Sequence, residues 1–211
     1  TREWEAAVES GDFITAFSKA VMTSRLTHPI IDDSKRLLKL LGIPFVEAPS
    51  EAEAQTAYMA MRAEVWAASS MDYDSLLFGS PRLLRYLTIS GREFLPSKGI
   101  ARPLKPELID LNSLLAHYQI DREQLIDVSL LIGTDFNEGV KGIGPKKALS
   151  LVKQYGKLEN LPNEMRSKIL GQNIGEVRKI FLEPKVRENY SLRYGTLLED
   201  ELMSFLCDQR D

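Results

Sequence analysis

Three short acidic groups, each placed where an apolar segment ends, constrain this chain more than any other feature. They are Ser50-Glu51-Ala52-Glu53, Asp72-Tyr73-Asp74 and Gly133-Thr134-Asp135. Carboxylates repel one another, so a fold that gathers Glu51, Glu53, Asp72, Asp74 and Asp135 needs cations between them. Hard oxygen donors of this kind suit Mg²⁺ or Mn²⁺. An open α/β sheet offers the place, because its sites lie at the carboxyl ends of parallel strands. The apolar run Ile43 to Val46 precedes the first group, and Val65 to Ala68 precedes the second. With the helix that Pro49-Ser50 opens between them, they read as strand, helix, strand, the pattern of a parallel α/β unit.

Each group alone also has a plainer reading. Ser50-x-x-Glu53 fits a capping box, and Glu51 is a favourable first-turn charge. Asp72-Tyr73-Asp74 reads as a turn, and Asp135 as an Asx turn after a helix. On a regular helix, residues i and i+2 diverge by ~200°. Glu51 and Glu53 therefore share a site only if their helix starts beside it or one of them acts through water. In an extended segment i and i+2 point the same way, so Asp72 and Asp74 can share a metal pair. The case for a site rests on all three groups occurring together at element ends.

The rest of the chain reads as follows. Residues 2 to 26 are expected to be helical, with Trp4, Ala7, Val8, Phe13, Phe17 and Val21 at helical spacing and an interruption at Ser10-Gly11-Asp12. Thr27-His28-Pro29 opens a helix that stops at Gly42. Leu83 to Ile89 and Arg92 to Leu95 are expected strands joined by Ser90-Gly91. From Pro106 on, helices are expected near 107–118, 122–132, 145–154, 163–170 and 175–182. The expected domains are residues 1–27, helical; 28–105, the α/β part; and 106–211, a helical part.

A second chemical signal lies in that helical part. Gly139-Val140-Lys141-Gly142-Ile143-Gly144-Pro145-Lys146-Lys147 joins two expected helices. Glycines permit close backbone approach, and proline suits a first helical turn. The helix start offers free N–H groups to a phosphate, and Lys141, Lys146 and Lys147 add charge at the same place. Lys141, Gly142, Gly144, Lys146 and Lys147 are thus expected to hold a nucleic-acid backbone without reading bases. Turn carbonyls facing outward could also hold a monovalent cation against the phosphate. The plainer alternative is a helix connection with solvated lysines.

Composition sets the outer limits. The net charge is −3, which argues against a generally basic nucleic-acid binder. It leaves a nuclease open, because an acidic metal site itself lowers the total. The single cysteine, Cys207, excludes an internal disulfide and points to a reducing compartment. No apolar run approaches the ~20 residues of a membrane span. The opening Thr1-Arg2-Glu3-Trp4-Glu5 is unlike a signal peptide, and without an initial methionine the chain is expected to be a piece of a longer one. No Ser/His/Asp or Cys/His arrangement is evident.

The motifs in this order resemble a known family. Gly42-Ile43-Pro44 followed by Ala48-Pro49-Ser50-Glu51-Ala52-Glu53-Ala54 resembles the internal nuclease motif of flap endonucleases of the XPG-type superfamily. Asp72-Tyr73-Asp74-Ser75-Leu76-Leu77-Phe78-Gly79-Ser80 resembles its next motif, in an archaeal-like wording. Leu131-Ile132-Gly133-Thr134-Asp135-Phe136, running into Gly142 to Ala148, resembles the third acidic motif with its helix–two-turn–helix element. Ile180-Phe181-Leu182-Glu183-Pro184 fits as well.

The resemblance implies an α/β, PIN-like parallel-sheet core followed by a helical region. It implies a structure-specific nuclease that removes 5′ flaps from branched DNA in replication and repair, with 5′-3′ exonuclease activity. Two Mg²⁺ ions, replaceable by Mn²⁺, would be held by Glu51, Glu53, Asp72, Asp74 and Asp135, with K⁺ at the helix–two-turn–helix element. Expected partners are flap DNA and, for the full-length protein, a sliding clamp, with no membrane. The expected location is beside the chromosome in a prokaryotic cytoplasm, or the nucleus in a eukaryote. Family members also carry an N-terminal segment with two further aspartates and a basic gateway helix, and a clamp-binding peptide; this sequence contains neither. The alternatives are a catalytically incomplete DNA-binding piece of such a nuclease and a PIN-like metal-dependent RNase.

Overall fold

The computed structural model describes residues 2–12, 15–16, 27–88, 91–95, 100–171 and 173–208. In chain order its elements are helices α1 (Arg2–Glu9), α2 (His28–Leu40) and α3 (Ala52–Met61), strand β1 (Ala68–Ser69), the single turn α4 (Asp74–Leu77), strands β2 (Arg82–Arg85), β3 (Arg92–Leu95), β4 (Ile100–Pro103) and β5 (Glu107–Asp110), and helices α5 (Leu111–Tyr118), α6 (Arg122–Ile132), α7 (Pro145–Tyr155), α8 (Asn163–Leu170), α9 (Ile174–Leu182) and α10 (Glu199–Met203). They fall into two units. One comprises Ala48–Ile89 and Lys105–Arg187; the other comprises Thr1–Glu47, Ser90–Leu104 and Glu188–Asp211.

The first unit carries all three acidic groups. Its sheet has β2 at the centre, parallel to β1 on one side and antiparallel to β5 on the other. Leu83 lies opposite both Ala68 and Ile109, and with Leu76 and Leu111 it forms a small apolar cluster under the sheet. The larger core is helical: Ile126, Leu130 and Leu131 of α6, Ala148 and Val152 of α7, Ile169 of α8, and Ile174 and Phe181 of α9 are all essentially out of water. α6 starts where the sequence says it should, because Asp121 and Gln124 form a reciprocal capping box. Arg178 ties α9 to α6: its Nε and Nη2 donate to Asp127 Oδ1 at 2.9 and 2.7 Å, and its Nη1 reaches Glu159 Oε1 at 2.8 Å.

The α/β class holds, and several element boundaries differ. Residues 43–48 form no ladder among the described residues; Pro44 removes a donor, and Ile43 and Phe45 are exposed. The second expected strand shrinks to Ala68–Ser69. The run expected over Leu83 to Ile89 ends at Arg85, since Tyr86 has a left-handed φ of 59° that turns the chain out of the sheet. Residues 107–110, expected to be helical, instead form β5. The helix waits for Asp110, whose carboxylate caps it by accepting from the Ser113 N–H at 2.8 Å.

In the second unit, β3 and β4 pair antiparallel, with Arg92 opposite Pro103 and Leu95 opposite Ile100. The strand at 92–95 thus pairs onward with β4, not back with β2; Ser90 of the expected turn lies outside the described residues. α2 ends on a reversed turn in which the Ile43 N–H bonds back to the Leu38 carbonyl at 2.8 Å. The segment 195–198 runs along that end, with Gly195 N–H donating to Gly42 O and Leu198 N–H to Leu40 O. The expected N-terminal helix is present as α1. Its continuation through Phe13, Phe17 and Val21 lies outside the described residues.

Candidate active site

Glu51 is the residue before the first turn of α3, with extended backbone, and Glu53 lies within that turn. The geometric objection to their sharing a site therefore lapses, because Glu51 is not yet on the helix. The expected capping box does not form: the helix begins one residue later than Ser50 predicts, and no side chain caps it. Instead Glu53 Oε1 accepts a hydrogen bond from Ser70 Oγ at 3.1 Å, which links the first acidic group to the end of β1.

Asp72-Tyr73-Asp74 is not an extension of β1. Residues 71–73 bend, and Asp74 is the first residue of α4. The two aspartates are juxtaposed because the Asp74 N–H donates to Asp72 Oδ1 at 3.3 Å. The Asp72 N–H donates to Ser70 Oγ at 3.1 Å. The Met71 carbonyl accepts from Arg85 Nε and Nη2 at 3.3 and 3.1 Å. The Arg85 guanidinium is buried, sits 4.0 Å from the centre of the Tyr73 ring and contacts the Tyr73 hydroxyl.

Asp135 stands at the tip of a closed four-residue turn. Thr134 and Asn137 exchange backbone hydrogen bonds at 2.9 and 3.2 Å, and the Asn137 amide donates to Leu130 O at 2.8 Å. Gly139 makes the return possible, since a Cβ there would lie 2.4 Å from the Ile132 carbonyl oxygen. Two aromatic anchors fix the acidic groups to one core. Phe78, at the end of α4, and Phe136, next to Asp135, both pack on Phe181, with ring centres 5.1 and 5.6 Å away. Arg122 adds a polar tie, donating to the carbonyls of Leu77 at 3.0 Å and Phe181 at 2.7 Å, which end α4 and α9.

The field at Asp74 records how these groups face one another. Its carboxyl is pushed up to about 6, first by burial and then by the charges of Asp72, Asp135, Glu53 and Glu51. Four carboxylates therefore raise the fifth. No basic side chain pairs with any of them among the described residues. Asp72, Asp74 and Asp135 line a hollow whose other wall is apolar, from Leu114, Leu125, Val128 and Ile132. The donor set is all carboxylate oxygen, which fits hard divalent cations. It is open: among the described residues no three acidic, histidine or cysteine side chains close on one ion by themselves.

The glycine turn runs from α6 to α7, two helices packed on each other in the same unit. Ile143 and Ala148 anchor it in the core, while Lys141, Gly142, Gly144, Lys146 and Lys147 face solvent. Gly142 has φ 83°, a conformation that favours glycine. Gly144 holds the position before α7, Pro145 follows it, and a Cβ at Gly144 would meet nothing within 4 Å, so the first N–H groups of α7 are open to an approaching anion.

Sequence reasoning missed Ser70, Arg85 and Arg122. Two of them leave a trace. Arg85 is the one charge in the apolar run Leu83 to Ile89, and Arg122 places a cation in the first turn of α6, where the helix dipole disfavours it. Either oddity signals a side chain with another task.

Residues 42–135 match the family model of the XPG I-region. A flap endonuclease 1 of Thermococcus onnurineus is 45% identical over 210 residues, which are 99% of this chain and 60% of that protein. The solved flap endonuclease-1 from Methanococcus jannaschii matches with a TM-score of 0.73 at 40% identity, covering 96% of this chain and 59% of that one. The catalytic core of Rad2 in complex with DNA substrate matches with a TM-score of 0.72 at 25% identity, covering 88% of this chain and 66% of that one. Residues 42–135 thus carry an XPG I-region, and the chain is similar to flap endonucleases over nearly all of its length. It spans about 60% of the length of the curated relatives it matches. Among the described residues no helix is long and apolar enough to cross a membrane.

Proposed function

We propose that this chain is the body of a structure-specific 5′ flap endonuclease that hydrolyses phosphodiester bonds in branched DNA. The observation that carries the reading is the hydrogen-bonded grouping of Glu53, Asp72 and Asp74, with Asp135 lining the same hollow as Asp72 and Asp74, in the unit that also presents the glycine turn at the start of α7. The turn would hold the duplex by its phosphates, with Lys141, Lys146 and Lys147 neutralising charge. Carbonyls of the same turn would take a K⁺ ion between protein and phosphate. The five carboxylates would hold two Mg²⁺ ions, with Mn²⁺ as substitute, which supply an activated water and stabilise the leaving oxygen. None of the five would act as a general base; each would serve as a ligand. Among the described residues the set is open, so further donors would be water or substrate phosphate. The natural partners are flap DNA and, for the full-length protein, a sliding clamp, beside the chromosome.

The test is a titration of the chain against a labelled 5′-flap duplex in Mg²⁺, following binding and incision together. Parent protein is expected to cut at the junction, while Asp135→Asn and Asp72→Asn bind the flap and do not cut. Incision that survives both substitutions refutes the assignment. The openness of the carboxylate set favours one other reading, a duplex-binding piece that lacks part of its metal site. Binding without incision by the parent itself would select it.

A further inference from the structure

The peptide unit that leads into Asp72 is gripped at both of its poles. Its carbonyl, that of Met71, accepts from Arg85 Nε and Nη2 at 3.3 and 3.1 Å. Its N–H, that of Asp72, donates to Ser70 Oγ at 3.1 Å. A serine hydroxyl has one proton to give. With the Asp72 N–H occupying a lone pair, that proton goes to Glu53 Oε1, 3.1 Å away. Ser70 therefore joins two acidic groups through one hydroxyl: a carboxylate from the first turn of α3 and the backbone that aims Asp72.

We propose that Ser70 is a positioning residue of the carboxylate site, holding Glu53 and Asp72 at a fixed separation so that both can serve cations. The proposal rests on the metal reading of the site given above. Its physical content is simple. Glu53, Asp72 and Asp74 are like charges that would drift apart, and the described residues offer them no cationic partner. A neutral hydroxyl restrains Glu53 without neutralising it, so the oxygen keeps its full charge for a metal. Arg85 makes the restraint stiff by fixing the opposite pole of the same peptide. Its charge is turned toward the Met71 carbonyl and Glu107, whose Oε2 lies 3.3 Å from Nη1.

Outer partners of metal ligands typically control affinity by about 10- to 100-fold. The decisive measurement is Mn²⁺ binding to the chain by calorimetry and electron spin resonance, comparing parent, Ser70→Ala and Ser70→Thr. Ser70→Ala is expected to weaken Mn²⁺ by roughly 10-fold or more, while Ser70→Thr, which keeps the hydroxyl, stays near the parent. Melting in EDTA and flap-duplex binding in EDTA should be unchanged in both. Unchanged Mn²⁺ affinity in Ser70→Ala overturns the proposal. So does a loss of affinity matched by a fall in melting temperature and not rescued by threonine, which would mark a packing role. Hydrogen exchange of the Asp72 amide in EDTA reads the brace without metal, and it should quicken in Ser70→Ala alone. If the parent binds no Mn²⁺, the metal reading fails by itself. Unquickened exchange at Asp72 would then overturn the brace as well, and quickened exchange would sustain it.

Discussion

Crowding five carboxylates without a cation has a cost that Asp74→Asn should reveal. The Asp74 carboxyl is pushed from its ordinary value of 3.8 to about 6 by burial and by its four acidic neighbours. A raised carboxylate pKa means that the folded chain binds the proton more tightly than the unfolded one. Stability therefore falls as pH rises from about 4 to about 6, and the full penalty is present above that window. A shift of roughly two units corresponds to about 3 kcal/mol. Asp74 is only partly buried, so solvent screening brings the realistic figure to ~1–2 kcal/mol. The asparagine variant keeps the shape and loses the charge. In EDTA at pH 7.5 it should melt above the parent by roughly 2–8 °C, using about 2–4 °C per kcal/mol for a chain of this size. At pH 4 the two should melt together. Added Mn²⁺ should raise the parent more than the variant, since it relieves the same repulsion. Thermal melts followed by circular dichroism across pH 4–8, with EDTA or Mn²⁺, check all three. A variant that melts below the parent in EDTA at pH 7.5, or a difference that does not depend on pH, would refute the argument that the five charges face one point.

Three further outcomes are expected. The Ser75 hydroxyl is fully buried with no hydrogen-bond partner among the described residues, so Ser75→Ala should stabilise the chain by about 1 kcal/mol in denaturant titrations. Arg178→Met leaves Asp127 buried and unpaired, and should cost about 3 kcal/mol, most of it recovered by adding Asp127→Asn. Replacing both Lys146 and Lys147 by alanine should weaken duplex binding whatever the sequence. It should also flatten the slope of log affinity against log salt by up to about 2, as expected for two lost phosphate contacts; an unchanged slope would remove the turn from the interface.

What could be read ahead of the structure follows from where each kind of information resides. Metal chemistry is spelled locally: Glu51 with Glu53 and Asp72 with Asp74 are two apart, and each sits at a segment end, so the motif survives without knowledge of the fold. The helices α6 to α9 were legible for a related reason, since one apolar face repeats every turn over enough residues to count. The strands were not. β1 has two residues and the longest strands have four, too short for alternation to be distinguished from chance, and their pairing depends on partners as distant as Arg82 and Asp110. The same separation hid the residues that hold the site still. Arg122 reaches the Phe181 carbonyl across 59 positions, and Phe136 packs on the Phe181 ring from 45 positions away. Ser70 and Glu53, 17 apart, meet only because α3 begins where it does. Carboxylates that repel one another announce themselves, because few other arrangements explain them. The neutral groups that restrain them look like any serine or phenylalanine until the chain has folded. A search for function in related chains therefore gains more from asking what braces each acidic group than from finding another acidic group.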